Sequence, residues 1–371
     1  MSKSIYLPGL NGLRAIAALA VVVSHITQGL GEFGLDPYLF GKTFEGTPKG
    51  LELAGYGVSV FFALSGFLIT YLLLREKEEG RINIRNFYIR RILRIWPLYY
   101  FYLGLCIITI LYQGESINEG SLFYYLFFSA NIAFIQNIPI PFMLHYWSLG
   151  VEEQFYAFWP WLARLEIKKL LRISIIILAL LLLLKLVFRI IDIKYNISLP
   201  YTVIHVTRFH CMLMGAIGAI LYYKKNNLFM AITTSPVTQA ICWACIGIAA
   251  MNKFHLVAMI DNELISAITL CLIMGQVAGK FKIINLENNV MDFVGKISYG
   301  IYVYHPLILL YLSRVLGAIP GESLFKYLIV YLVIVFVTIC VAWISYEYFE
   351  KKFLKIKLKY STVRSINAKN I

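Results

Sequence analysis

Ten apolar stretches separated by short polar segments run through this 371-residue sequence and constrain its fold more than any other feature. An α-helix needs about 20 apolar residues to cross the roughly 30 Å of hydrocarbon in a membrane. With 60% hydrophobic and only 15% charged residues, the chain has too few charges to build a water-facing surface. The pattern predicts an all-α, polytopic integral membrane protein with about ten transmembrane helices. The stretches are residues 11–30, 53–75, 92–112, 120–163, 172–190, 205–223, 235–253, 263–280, 296–316 and 324–348.

Basic segments between the stretches orient the predicted helices, because Lys and Arg concentrate in cytoplasmic loops. The fourth stretch is too long for one helix and is interrupted at IPIPFMLHYW, so residues 120–147 are expected to be partly re-entrant or to lie at the outer surface. With that assignment RLEIKKLLR, YYKKNN and GKFK fall inside, and the acidic QGESINEG falls outside. Both termini are then cytoplasmic, and we expect a multi-pass protein of the cell (inner or plasma) membrane.

The charge balance is basic, with 34 Lys and Arg against 20 Asp and Glu. These bases lie in short clusters between apolar stretches, which is typical of a membrane protein, so no nucleic-acid partner is expected. The N-terminal segment has no short apolar core followed by a cleavage site, so we expect no removed signal peptide. Cys242 and Cys245 form a C-x-x-C without a second pair or a nearby histidine, so no metal site is predicted. We expect a single transmembrane domain over residues 1–355 and a basic cytoplasmic tail over 356–371.

Arg14 and His25 lie eleven residues apart in the first stretch, NGLRAIAALAVVVSHITQGL. Ionisable residues inside a span usually face the bundle interior or a wet cavity. Eleven helical steps of about 100° make three turns plus about 20° and rise about 16 Å. Both side chains therefore point the same way, Arg14 near the inner surface and His25 in the outer half. The alternative is that His25 is a hydrogen-bonded packing residue and Arg14 an anchor at the inner end.

A second cluster, FYIRRILRIWPLYY, leads into the third stretch from the cytoplasmic side. Arg91 and Arg94 are three residues apart and share a helix face, whereas Arg90 points elsewhere. Together with Arg14 they can hold the phosphates of a cytoplasmic ligand, because guanidinium binds phosphate through paired hydrogen bonds. The alternative is that they serve only as positive-inside anchors.

A third cluster, HYWSLGVEEQFYAFWPW, enters the membrane from the outer side. Ser148 and Glu152 are four residues apart and lie on one helix face, with Glu153 rotated away. Ser148 can be an ordinary N-cap, but Glu152 is not at the position of a capping partner. By depth, Glu152 and His25 can meet, and a carboxylate beside an imidazole fixes its tautomer and keeps it basic. That arrangement is suited to removing a proton from a hydroxyl.

Other ionisable residues are weaker candidates. Arg208 and His210 begin the sixth stretch, and His305 lies in the ninth, just before Pro306. Each is expected either to be structural or to line the active cavity. Glu350, at the inner end of the last stretch, is expected to pair with a cytoplasmic base.

Seven segments carry a family resemblance that extends from about residue 8 to about residue 353. In chain order they are LNGLRAIAALAVVVSH, FFALSGFLIT, FYIRRILRIWPLYY, HYWSLGVEEQFY, RFHCMLMG, GKISYGIYVYHP and SYEYFEKKF. Together they resemble the acyltransferase-3 family, membrane proteins that O-acylate cell-surface carbohydrates. Two departures stand out: His210 replaces a usual aspartate, and Lys352 stands where a proline commonly follows the position of Glu350.

The resemblance implies ten spans, cytoplasmic termini, and transfer of an acyl group, usually acetyl from acetyl-CoA, to a sugar hydroxyl. By motif it carries over as site residues Arg14, His25, Arg91, Arg94, Ser148 and Glu152. The three arginines would bind phosphates of acyl-CoA at the cytoplasmic mouth. His25, steadied by Glu152 and Ser148, would deprotonate the acceptor hydroxyl as it attacks the thioester.

No tightly bound cofactor and no metal are expected, since acetyl-CoA serves as a donor substrate and thioester chemistry needs neither. The expected partners are acyl-CoA, membrane lipid and a carbohydrate acceptor such as a surface polysaccharide or a lipid-linked glycan. No esterase-like segment follows, so we expect the stand-alone form. One alternative is a transporter or flippase of a lipid-linked sugar without acyl-transfer chemistry. Another is an acyltransferase that acts on lipid or protein.

Overall fold

Regular structure in the described part of the chain is helical, apart from one pair of four-residue strands. The computed structural model describes residues 3–39, 41–42, 46, 48–251, 253–257, 259–361 and 363–366. Strand β1 (Lys3–Tyr6) pairs in parallel with β2 (Val363–Ile366). The helices are α1 (Leu10–Gln28), α2 (Glu52–Glu78), α3 (Ile84–Tyr112), α4 (Glu119–Leu126), α5 (Ala130–Ile135), α6 (Trp147–Leu162), α7 (Ile167–Tyr195), α8 (Leu199–Thr207), α9 (Phe209–Tyr223), α10 (Asn227–Thr233), α11 (Pro236–Ala250), α12 (Asp261–Ala278), α13 (Asn289–Lys296), α14 (Ser298–Leu316), α15 (Leu324–Ser345) and α16 (Lys351–Leu358).

Six helical segments of the described residues are long and apolar enough to cross a membrane: α1, α2, α3, α7, residues 199–223 and residues 324–358. The bent pairs α10 with α11 and α13 with α14 raise the number to eight if each pair is one span. The other two predicted crossings coincide with α6, which has only 16 residues, and with α12, which has acidic residues in its first turn. The all-helical fold is confirmed, while the count of ten and the side of the termini stay predictions.

The predicted interruption of the fourth apolar stretch is present. Helices α4 and α5 are short, a single turn of 3₁₀-helix covers Leu144–Tyr146, and α6 begins at Trp147. The chain changes direction at Phe128, Asn137 and Phe142, which have positive φ angles of 54°, 55° and 63°. Such left-handed residues stop a helix and turn the backbone. Whether this region is re-entrant stays a prediction.

Contacts group the chain into two compact units, which are described separately. Among the described residues, one unit contains residues 3–6, 62–233 and 356–366, and the other contains residues 7–61 and 234–355. The boundary near residue 61 falls inside α2. The domain limits expected from the sequence, 1–355 and a tail at 356–371, stay a prediction.

Small and aliphatic side chains form the core of the unit that contains α1, α14 and α15. On α1 they are Ala15, Ala18, Val22 and Ile26, whose spacing of three or four residues places them on one helix face. All four are buried. This packing fixes the rotation of α1 about its axis and therefore the direction of its polar side chains. The residues of α14 and α15 in the same core include Ile301, Val330, Ile334 and Ala342.

Two glycines bring α2 and α9 close together in the other unit. A Cβ atom at Gly66 would collide with the backbone of Met212, and one at Gly215 would collide with the carbonyl of Ala63. Close approach of helix backbones through small residues is a common packing solution in membranes. The FFALSGFLIT segment of α2 is thus held against the RFHCMLMG segment around α9.

Candidate active site

The side chain of His25 lies against that of His305 within the unit built on α1 and α14. Nδ1 of His25 is 2.6 Å from Nε2 of His305, and the two rings stack with centroids 4.9 Å apart and planes 18° apart. His305 is fully buried, whereas His25 is half-buried. The ring of His25 is therefore turned towards α14.

The surroundings of His305 assign one tautomer to each ring in its neutral form. Nδ1 of His305 faces the carbonyl oxygen of Ile301 at 3.3 Å, and a carbonyl can only accept, so Nδ1 carries the hydrogen. Nε2 of His305 is then an acceptor, and it accepts from Nδ1–H of His25. The lone pair of His25 is consequently left on Nε2. An imidazole held this way is ready to take a proton from a hydroxyl.

Arg14 occupies the first turns of the same helix. Its Nη1 lies 3.4 Å from Oδ1 of Asn11, and the amide of Asn11 donates to Asp292 on α13 at 3.4 Å. Arg14 is half-buried. Arg14 and His25 lie on one continuous helix. Because eleven residues separate them, the rise along the helix axis between the two is about 16 Å.

The arginines of α3 have different surroundings. Arg90 pairs with Glu76 at 2.7 Å and donates to the carbonyl of Tyr360 at 2.8 Å, so it is a structural ion pair. The guanidinium of Arg91 lies over the ring of Tyr156, 5.5 Å from its centroid, and its Nε has no hydrogen-bond partner among the described residues. Arg94 is half-buried and interacts with Arg91 as a like charge. Two neighbouring cations of this kind suit an anionic ligand.

Glu152 belongs to the same unit and is bound from two sides. One carboxylate oxygen accepts from the hydroxyl of Ser65 at 2.8 Å, and the other accepts from the hydroxyl of Tyr156 at 3.1 Å. Since the guanidinium of Arg91 also lies over the ring of Tyr156, this tyrosine contacts both Arg91 and Glu152. The neighbouring Glu153 accepts a hydrogen bond from Trp96 at 3.3 Å.

Ser148 lies at the start of α6, where its hydroxyl donates to the carbonyl of His145 at 3.1 Å. The side chain is buried. This bond is local, of the kind that serines make near helix N-termini. A role for Ser148 in chemistry stays a prediction.

The structure thus gathers the predicted site residues into two sets. Arg14 and His25 share α1, with His305 beside His25, and Arg91 is joined to Glu152 through Tyr156. The pairing of His25 with Glu152 concerns residues of different units and stays a prediction. Within its own unit, Nδ1 of His25 contacts His305. His305 was only a weak candidate in the sequence, and Tyr156 and Ser65 were not candidates. The motif segments GKISYGIYVYHP, HYWSLGVEEQFY and FFALSGFLIT contain all three, which is the signal that could have found them.

The remaining candidates are placed as follows. Arg208 forms the break between α8 and α9 with a φ of 44°, and its guanidinium lies 5.2 Å from the centroid of the Trp147 ring. His210 is buried in the first turn of α9. The carboxylate of Glu350 lies 3.4 Å from the hydroxyl of Ser345. Among the described residues, no group of three His, Cys, Asp or Glu side chains is placed to hold a metal ion.

Comparison with known proteins identifies relatives along nearly the full chain. A candidate O-acetyltransferase of Staphylococcus aureus (strain MRSA252) is 29% identical over 98% of this chain and 60% of its own length. The O-acetyltransferase OatA of Staphylococcus aureus (strain NCTC 8325 / PS 47) is 26% identical over 93% of this chain and 57% of its own. The peptidoglycan O-acetyltransferase OatA of Listeria monocytogenes is 30% identical over 42% of this chain and 24% of its own.

The chain therefore spans about 60% of the length of the first of these relatives. No solved structure matches it significantly. The profile of the acyltransferase-3 family, described as an acyltransferase domain, matches residues 7–347. That match covers most of the sequence, so the chain belongs to the acyltransferase-3 family.

Proposed function

We propose that this chain is a membrane-embedded O-acyltransferase that moves an acetyl group from cytoplasmic acetyl-CoA to a hydroxyl of a cell-surface or lipid-linked carbohydrate. Family membership and the O-acetyltransferase names of its relatives support the reaction class. The single observation that carries the proposal is the contact between Nδ1 of His25 and Nε2 of His305, which leaves Nε2 of His25 as a base.

The proposed reaction is a direct transfer from sulfur to oxygen. Nε2 of His25 takes the proton of the acceptor hydroxyl while that oxygen attacks the thioester carbonyl carbon. The bond from carbon to sulfur breaks, and the departing thiolate takes the proton from His25. One thioester and one alcohol become one ester and one thiol, so the base returns to its starting state.

The other predicted residues keep distinct roles in this proposal. Arg14, Arg91 and Arg94 bind phosphates of acyl-CoA, because guanidinium groups form paired, charge-assisted hydrogen bonds with phosphate. Glu152, held by Ser65 and Tyr156, acts with Ser148 in positioning the reacting groups. His305 acts as a positioning residue for His25.

Substitution of His25 tests the proposal. The full chain is produced in cells, and ester-linked acetate on purified peptidoglycan and other surface glycans is measured by mass spectrometry. His25→Ala should lower acetylation roughly 10²-fold or more, since general-base catalysis contributes a rate factor of about that size. His255→Ala is the matched control, because His255 has an exposed side chain and pairs with Asp261 outside the candidate site.

Two outcomes would contradict the proposal. A correctly folded His25→Ala protein that acetylates as well as the unmodified chain would remove His25 as the base. A chain that leaves every surface glycan unacetylated but moves a lipid-linked sugar across vesicle membranes would instead be a flippase.

A further inference from the structure

Helix α7 exposes most of its surface. Only 17% of its most apolar 18-residue window is buried, although the window is hydrophobic enough to lie in a membrane. Ile176, Leu180 and Leu183 are each half exposed or more, and their spacing of four and three residues places them on one face. Such a surface is suited to contact with lipid acyl chains.

A groove of about 390 Å³ lies at the first turns of this helix. Three of its lining side chains are cationic, namely Lys168 and Arg172 on α7 and Lys224 after α9. No ion pair between described residues involves any of the three. Three like charges around one groove repel each other, and an anion in the groove would relieve that repulsion.

The rest of the groove wall is apolar and leads along the helix. It is formed by Leu171, Ile175 and Ile176, and the exposed face continues from Ile176 to Leu183. From Arg172 to Leu183 the helix rises about 16 Å, which is close to half of the roughly 30 Å hydrocarbon core. The cationic end of the groove and the exposed apolar face of α7 therefore follow each other along the helix, over a length that matches one membrane leaflet.

We propose that this groove binds one anionic phospholipid, with its phosphate between Lys168, Arg172 and Lys224 and an acyl chain along the exposed face of α7. A soluble phosphate compound such as acetyl-CoA would satisfy the cations but would gain nothing from the apolar face. Basic pockets at the end of membrane helices are suited to lipid head groups for the same electrostatic reason. The proposal does not depend on acyl transfer.

A pair of double variants tests this site. Lys168→Gln with Lys224→Gln removes two groove cations, and Lys169→Gln with Lys225→Gln removes two exposed cations that neighbour them in sequence but do not line the groove. Each full-length protein is placed in phosphatidylcholine nanodiscs that contain a small fraction of phosphatidylglycerol, and bound phosphatidylglycerol is counted by native mass spectrometry. We expect roughly thirtyfold weaker binding in the first variant, from about 1 kcal/mol for each of the two bases, and unchanged binding in the second.

Arg172→Gln alone should reduce binding about fivefold and provides a second measure if the double variant unfolds. Equal losses in both double variants would show a general surface-charge effect and overturn the site. Displacement of phosphatidylglycerol by millimolar inorganic phosphate or acetyl-CoA would show a site for soluble anions and overturn the lipid. Retention under that competition supports the lipid.

Discussion

The two ring nitrogens of His25 have different surroundings, and the difference decides what this residue can do. Nδ1 is committed to His305, which is fixed in turn by the carbonyl of Ile301. A buried neutral acceptor holds the ring orientation without adding a charge to the site. In the proposed mechanism this neutral acceptor orients the imidazole as a carboxylate would, but no charged group has to be desolvated.

Replacement of His305 tests this arrangement. His305→Leu should lower kcat roughly 10²-fold and leave KM for acetyl-CoA nearly unchanged, because His25 loses its orientation while donor binding is untouched. His305→Gln should recover part of kcat, since its amide oxygen can accept from Nδ1–H of His25. Steady-state release of CoA by the purified full chain measures both constants.

A purely structural role for His305 would give a different result. Both variants would then lose activity and thermal stability together, and KM would rise as the site deforms. The His255→Leu protein provides the comparison for a histidine outside the site.

Tyr156 contacts two predicted site residues through different parts of its side chain, so the two contacts can be separated. Tyr156→Phe removes the hydroxyl that donates to Glu152 but keeps the ring beneath Arg91. We expect a loss of kcat of roughly 10-fold with donor binding retained. Tyr156→Ala should also weaken acetyl-CoA binding, measured by isothermal titration, because the cation–π contact of Arg91 is lost. Equal affinities for acetyl-CoA in the two variants would contradict a role of the ring in placing Arg91.

The placement of Arg14 and His25 on one helix could be predicted from the sequence, whereas the hydrogen-bond partners of the candidate residues could not. Arg14 and His25 share one helix, so their common direction follows from helical geometry. His305 is 280 residues away from His25, and Ser65 is 87 residues away from Glu152. Partners at such separation are chosen by tertiary packing, which a single sequence pattern does not contain.

Close contact between helices in this fold requires glycine at some positions but not at others. Gly66 on α2 faces the backbone of Met212, so nothing flexible can move aside for a larger residue. Gly104 on α3 has no atom within 4 Å of its would-be Cβ. The two positions are both helical glycines, and only one of them is required by packing.

Substitution by alanine should therefore have opposite effects at these glycines. Gly66→Ala should destabilise the protein by about 1–3 kcal/mol through overpacking. Gly104→Ala should be neutral or stabilise it by up to about 1 kcal/mol, since alanine favours the helix. Thermal unfolding in detergent, followed by intrinsic tryptophan fluorescence, measures the difference. An equal loss of stability at both positions would contradict a packing requirement for glycine at residue 66.

Element boundaries followed from the sequence where apolar stretches are long and uniform. The ends of five helices mostly agree with the predicted stretches to within a few residues, namely those of α1, α2, α3, α7 and α15. The largest difference is in α3, which begins eight residues before the predicted stretch because basic residues continue the helix there. The breaks between α8 and α9 and between α13 and α14 were not predicted, because Arg208 and Ile297 carry no turn signal of their own.

In the proposed mechanism, donor binding and proton removal take place at different positions along α1. Arg14 and His25 are about 16 Å apart along α1, about half the thickness of the hydrocarbon core. If the arginines bind CoA and His25 acts on the acceptor, donor and product belong to opposite sides of the membrane. This arrangement would transfer acetyl groups outward while CoA stays inside.

Sealed proteoliposomes of known orientation test this sidedness. Acetyl-CoA, which does not cross the bilayer, is supplied on one side only, and a soluble glycan acceptor on the other. We expect acetylation only when acetyl-CoA is on the side of the predicted cytoplasmic loops. Equal product with both substrates on the same side would contradict transfer across the membrane.

The long sequence separation of His25 and His305 also has a consequence for biosynthesis. Helix α1 leaves the ribosome well before α14, because His305 follows His25 by 280 residues. Until then the imidazole of His25 has no neighbour to hold its Nδ1 hydrogen, so an unfinished or truncated chain would present an unoriented histidine. In the proposed mechanism, insertion of α14 completes the orientation of the base, so chains that lack α14 should transfer or hydrolyse acetyl-CoA only poorly.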